Sequence, residues 1–188
     1  MISMKICAGL ICLMTACCGI SYAAPGGTRI ASGTYFDAFG DARADAYALL
    51  AKIDSSYLLY ASGGAGATDA VSDILAKTLD GLYQEVSDIL DIHMYSFKGS
   101  VVAFADQPAL ERFLKQQYGI DFPERSLYHF EKNTIYISLA DATVGMLGHE
   151  IAHAVISNYF VVPPPEKVQE VLCGYVEYSL RKTRSSLP

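Results

Sequence analysis

Tryptophan is absent from this chain, charged residues make up only 18% of it, and no basic excess exists: 14 Lys and Arg stand against 20 Asp and Glu, a net charge of -6. An acidic balance argues against nucleic acid or an anionic membrane as partner, because phosphate recognition needs clustered positive charge. Cysteine is scarce where it would matter. Cys7, Cys12, Cys17 and Cys18 precede residue 20, and only Cys173 lies beyond. If the N-terminal segment is removed, no intramolecular disulfide can form, so the fold must rest on its hydrophobic core. After the N-terminal run no segment is long and apolar enough to span a bilayer. No internal repeat is visible, which excludes a solenoid.

The N-terminus reads as an export signal. Lys5 supplies a positive start, Ile6–Cys18 is apolar apart from Thr15, and Ser21-Tyr22-Ala23 fits a small-x-small cleavage site. The mature chain then starts at Ala24, and the protein is expected in the periplasm or secreted. A second reading takes Met14-Thr15-Ala16-Cys17 as a loose lipobox, with a lipid anchor at Cys17. The apolar run is too short for a membrane anchor of about 20 helical residues. The remaining chain suffices for one domain of ordinary size.

His149-Glu150-Ile151-Ala152-His153 is a His-Glu-x-x-His sequence inside an apolar, helix-compatible run. Histidines four residues apart lie one turn apart on one helix face, so both imidazoles can reach one metal ion. The glutamate between them points aside, where it can take a proton from water activated by the metal. Val144, Leu147, Ile151, Ala154 and Val155 form the apolar stripe, and Ser138-Leu-Ala-Asp141 reads as a capping box just upstream. This pattern points to zinc-assisted hydrolysis, most often of a peptide bond.

The rest reads as an α+β domain, a small mixed sheet with helices on it. Residues 24–33 are rich in Gly, Ala and Ser and read as a mobile leader. Asp41–Lys52 has helical composition, making 24–54 an N-terminal leader and helical segment. Tyr57–Ala61 reads as a buried strand closed by the Gly63–Gly66 turn. Thr68 is a candidate cap for the longest helix, running to Ile92. Gly99–Ala105 is a strand and Gln107–Tyr118 a short amphipathic helix. Ser126–Phe130 and Thr134–Ser138 form a hairpin leading into the zinc helix. Pro163–Pro165 break the chain, and Glu166–Arg181 is the last helix.

A hydrolytic zinc keeps three protein ligands and one open position. No histidine follows His153, so the third ligand is expected to be a carboxylate: Glu166, Glu170 or Glu177. The segment Val168-Gln-Glu-Val-Leu-Cys-Gly-Tyr175 resembles the Leu-x-Glu-Gly-Leu-Ala-x-Tyr sequence that follows the zinc helix in peptidase MA-like (gluzincin) metallopeptidases. The prolines before it match as well. The resemblance covers roughly Ser55–Leu180 and implies a minimal zincin-like metallopeptidase domain over 55–188. It implies Zn2+ held by His149, His153 and Glu170, Glu150 as general base, and a peptide or protein substrate. It also implies that Asn133-Thr-Ile-Tyr-Ile137 is the edge strand along which an extended substrate lies.

The chain departs from that family at two positions. Many relatives carry an acid four residues after the zinc glutamate, able to orient a ligating histidine; here Gly174 stands there. Val171 replaces the usual glycine. Glu177, two turns from Glu170, reads as a surface charge, and Cys173 as a small core residue near the metal. Tyr159, Tyr175 and Tyr178 are candidates for an oxyanion donor. His93 and His129 have no ligand spacing. The chain stops eleven residues after Glu177, so the cleft is expected to be shallow or completed by a partner. The alternative to an enzyme is a non-catalytic binding or scaffold protein of the cell envelope that keeps the same fold.

Overall fold

The computed structural model describes residues 27–41, 43–54, 67–119 and 121–185. The expected export signal, and the strand and glycine turn read over 57–66, lie outside the described residues.

In β3 (Gly99–Phe104) and β5 (Thr134–Ser138) successive side chains leave on opposite faces, and both faces are apolar. Val101, Ala103, Ile135 and Ile137 enter one core, while Val102, Phe104 and Tyr136 enter another. Strands buried on both faces belong in the middle of a sheet. Here β3 and β5 pair in parallel at the centre of a five-stranded sheet of order β1-β2-β3-β5-β4. β2 (Phe36–Gly40) joins β3 in parallel. The two edges are antiparallel: β1 (Thr28–Ser32) on β2 and β4 (Ser126–His129) on β5.

The helices cover both faces of this α+β fold. Helix α3 (Gln107–Tyr118) lays Leu110 and Leu114 on the smaller core, its start capped by Asp106 and its end by Gly119 at φ 68°. Helices α1 (Ala46–Ile53), α2 (Ala67–Leu90), α4 (Val144–Tyr159) and α5 (Glu166–Ser185) build the larger core. Asp80 of α2 ties down the β1–β2 turn by accepting from the Thr34 and Tyr35 amides at 2.7 and 2.9 Å. No helix among the described residues is long and apolar enough to cross a membrane.

Three local expectations need correction. The leader read over 24–33 is strand from Thr28 to Ser32, because β1 pairs antiparallel with β2 on either side of a bulge at Ile30. Helix α2 runs from Ala67, which puts Thr68 within the helix and not ahead of it. Ser138 does not open a capping box either. It is the last residue of β5, and its amide donates to the Arg125 carbonyl at 2.9 Å. Thr143 caps α4 instead, its hydroxyl accepting from the Met146 amide at 3.2 Å.

The edge strand also changes identity. Asn133–Ile137 was expected at the edge, but β5 lies between β3 and β4, and β4 is the edge. The Ser138–Arg125 bond sets the alternation of the ladder. Residues 125, 127 and 129 bond toward β5, and the backbone groups of Ser126 and Tyr128 face outward.

Candidate metal centre

Helix α4 carries His149, Glu150 and His153 at its middle, where its regular geometry is best held. The two imidazole centroids stand 5.0 Å apart on one face. Helix α5 lies against that face because α4 offers two glycines there. A Cβ on Gly148 would stand 2.1 Å from Leu180 Cδ1, and one on Gly145 3.0 Å from Glu177 Cγ. The start of α5 is set by the prolines: the Val168 and Gln169 amides bond to the Pro165 carbonyl, and Gln169 Nε2 to the Pro164 carbonyl at 2.8 Å. Glu170 is then one turn into the helix and directly over the histidines.

The result is a convergent donor set. Glu170 Oε1 lies 3.2 Å from His153 Nε2, and Glu170 Oε2 lies 3.5 Å from His149 Nε2. Ligands at 2.0–2.1 Å from a tetrahedral zinc stand roughly 3.3 Å apart, the edge of the tetrahedron. Each imidazole thus faces one oxygen of the Glu170 carboxylate at a separation compatible with a shared zinc ion. Of the three candidate carboxylates, Glu170 is the one that faces both histidines.

Glu177 is not the surface charge expected of it. Its Oε2 stands 3.6 Å from His149 Nδ1, on the side of the ring away from Glu170, while its Oε1 faces Arg181 at 3.7 Å. A carboxylate on the outer nitrogen of a ligating histidine selects the tautomer and steadies the ring. Glu177 faces the outer nitrogen of His149 in that position. Its seven-residue separation from Glu170 is two helical turns, which keeps both on one face. Glu177→Gln is expected to weaken zinc affinity by about 10–100-fold while leaving about one zinc per chain at saturating metal. Competition titration against a chromogenic chelator measures this, and an unchanged affinity would return Glu177 to the surface.

Cys173 lies on the core side of the same turn and is fully buried. Its sulfur belongs to a group with His149 and His153 whose donor atoms all lie within 4.8 Å of one another. Burial pushes its thiol well above the usual range, and the Glu170 and Glu150 carboxylates push it further.

Glu150 points the other way, toward β4. Ser126 Oγ donates to its Oε1 at 2.7 Å, and the Tyr128 backbone provides a second hydrogen bond. Burial still holds the Glu150 carboxyl above the usual carboxylate range, against the lowering effect of these bonds and of His153. Nothing in the sequence singles out Ser126, which is 24 residues from Glu150 and reaches it only through the sheet edge.

These groups line a cleft of about 1100 Å³. Ser126, Leu127 and Tyr128 of β4 form one wall, Met146, His149, Glu150, His153 and Ser157 of α4 the floor, and Glu166, Gln169, Glu170 and Glu177 of α5 the other wall. Burial pushes the Tyr128 phenol up to about 12, so it stays protonated and donates to Asn133 Oδ1 at 2.8 Å. The three oxyanion candidates are elsewhere: Tyr159, Tyr175 and Tyr178 are all more than half exposed and are not among the residues lining the cleft. His129 lies tilted against Tyr118, and His93 sits beside Asp88, and neither lines the cleft. Compared with known protein families, with characterised proteins and with solved structures, the chain matches none.

Proposed function

We propose that the chain is an exported zinc-dependent metallopeptidase of the gluzincin type, hydrolysing peptide bonds. The observation that supports this reading best is Glu170 within 3.2–3.5 Å of both His149 and His153, with Glu150 beside them on the cleft floor. His149, His153 and Glu170 would hold the ion. When bound, zinc supplies a Lewis acid that polarises a scissile carbonyl and makes water acidic enough to lose a proton near neutral pH.

The remaining work falls to the chain's own residues. The edge strand β4 presents outward backbone groups to which an extended peptide can pair, and this fixes the peptide between β4 and α5. Glu150 is the general base: its carboxylate takes the proton of the attacking water and later gives it to the leaving amine. Ser126 and the Tyr128 backbone hold the Glu150 carboxylate in place beside the histidines. Burial makes Glu150 a stronger base than an exposed glutamate, which suits proton transfer near neutrality.

One observation favours a second reading, a zinc-holding scaffold without catalysis. The Tyr128 backbone bond to Glu150 occupies a group that an extended substrate would otherwise use. The deciding measurements are metal content and chelator sensitivity. Purified protein is expected to hold about one zinc per chain, and a peptide-library digest should stop on chelation and resume when zinc is restored. Cleavage indifferent to a chelator, or a chain that takes up no zinc, would end the metallopeptidase reading.

A further inference from the structure

The edge strand β4 is short and has a strand neighbour on one side only. Among the described residues, three side-chain groups tie it by hydrogen bonds to α4. Ser126 Oγ and the Tyr128 backbone both bond to Glu150, and the Tyr128 phenol bonds to Asn158. The first two are exposed to the reaction. Glu150 gains a proton in it, and an extended peptide competes for the Tyr128 backbone. The Asn158 bond alone stands clear of the reacting groups, because Asn158 lies about 12 Å along α4 from Glu150.

This third tie is a closed triangle. Asn158 Nδ2 donates to the Tyr128 oxygen at 2.8 Å and to Asn133 Oδ1 at 3.2 Å, and the Tyr128 hydroxyl donates to Asn133 Oδ1 at 2.8 Å. The triangle is anchored in the centre of the sheet. Asn133 Nδ2 donates to the Lys98 carbonyl at 2.6 Å, and the Asn133 carbonyl accepts from the Ser100 amide of β3 at 3.0 Å. Asn133 itself has φ 48°, a left-handed conformation that asparagine adopts more readily than most residues. Asn158 has no other evident reason to be asparagine. It is exposed, it lies in the last turn of α4, and alanine would suit a helix better.

We propose that Asn158 is a positioning residue: through the Tyr128 phenol it keeps β4 ordered at the place where a peptide pairs with it beside His149, Glu150 and His153. The proposal rests on β4 being the peptide-binding edge of the proposed function. A strand that is ordered for only part of the time binds its peptide more weakly by that fraction. Once the peptide is paired, β4 has neighbours on both sides and the loss is made good. The clasp therefore acts on binding and not on the chemical step.

Asn158→Ala and Tyr128→Phe in the zinc-loaded chain test it. Both should fold, since alanine favours the helix and phenylalanine keeps the ring that packs on the core. Amide exchange over Ser126–His129, read without substrate, should quicken by about tenfold in each variant, the effect of losing one or two neutral hydrogen bonds. With a peptide taken from the casein digest, KM should rise by about tenfold while kcat stays within about twofold. The double variant should be no worse than either single one, because each opens the same clasp. A merely structural role would lower the melting temperature or the active fraction and leave KM alone. Unchanged exchange in either variant, additive rises in KM, or a fall in kcat at constant KM would overturn the proposal. A wild-type chain that cleaves no peptide would count against the proposed function, and the exchange rates would still decide whether Asn158 holds β4.

Discussion

Glu150→Gln is expected to leave zinc bound and to lower peptide hydrolysis by roughly 10²–10⁴-fold, the usual contribution of a general base. Glutamine keeps the size of glutamate and can still accept the Ser126 hydrogen bond, so the contact between α4 and β4 survives. It cannot accept a proton. The substitution also removes a carboxyl that burial already holds above its usual range, so the fold should not suffer. A thermal melt no lower than wild type would confirm that any activity lost is chemical. The assay is a peptide-library or casein digest of both proteins, with zinc measured in each. Equal cleavage would defeat the enzyme reading. No cleavage by either protein, with zinc present in both, would favour the scaffold, in which Glu150 serves to pin the edge strand to the zinc helix.

Much of the fold was legible because its signals are local. The α3 boundaries, Gln107–Tyr118, follow from Asp106 and Gly119 at its ends, and β3 and β5 follow from short apolar runs bounded by turns. The order of strands was not legible. Asn133–Ile137 and Ser126–His129 both read as short strands of a hairpin, and no local feature says which of them is paired on both sides. The burial of Tyr136 on the far face of β5, against α3, decides it in three dimensions. The capping box at Ser138 failed for a related reason: the strand keeps that residue, and tertiary pairing outweighs a capping preference of about 1 kcal/mol.

The site divides in the same way. His149, Glu150 and His153 are visible because one helical turn brings them together. Glu170 was reached only through a resemblance, and Glu177 was set aside because helix periodicity says which face a residue shares and not what lies opposite that face. Packing supplies the answer. Gly145 leaves room for the Glu177 side chain and Gly148 for Leu180, so the distance between α4 and α5 is written in glycines that carry no chemistry of their own. Ser126 has no signal at all in the chain order.

Which side chain completes the metal set is the remaining choice, and it predicts a clean separation. Glu170→Gln is expected to abolish tight zinc binding, whereas Cys173→Ser should retain about one zinc per chain. Structural zinc sites are worth roughly 10–16 kcal/mol over four ligands, so one ligand carries about 3 kcal/mol, more than a hundredfold in affinity. Glu170 already stands 3.2 and 3.5 Å from the two imidazole nitrogens. Cys173 Sγ also lies within 4.8 Å of a donor nitrogen of each histidine. It must also give up a proton that burial and two nearby carboxylates hold firmly. Cobalt substitution gives the independent readout. A cobalt site of two histidines and a carboxylate has no thiolate-to-metal charge-transfer band in the near ultraviolet, and a cysteine ligand would produce one. Loss of zinc on Cys173→Ser together with that band in the wild-type protein would move the third ligand from Glu170 to Cys173.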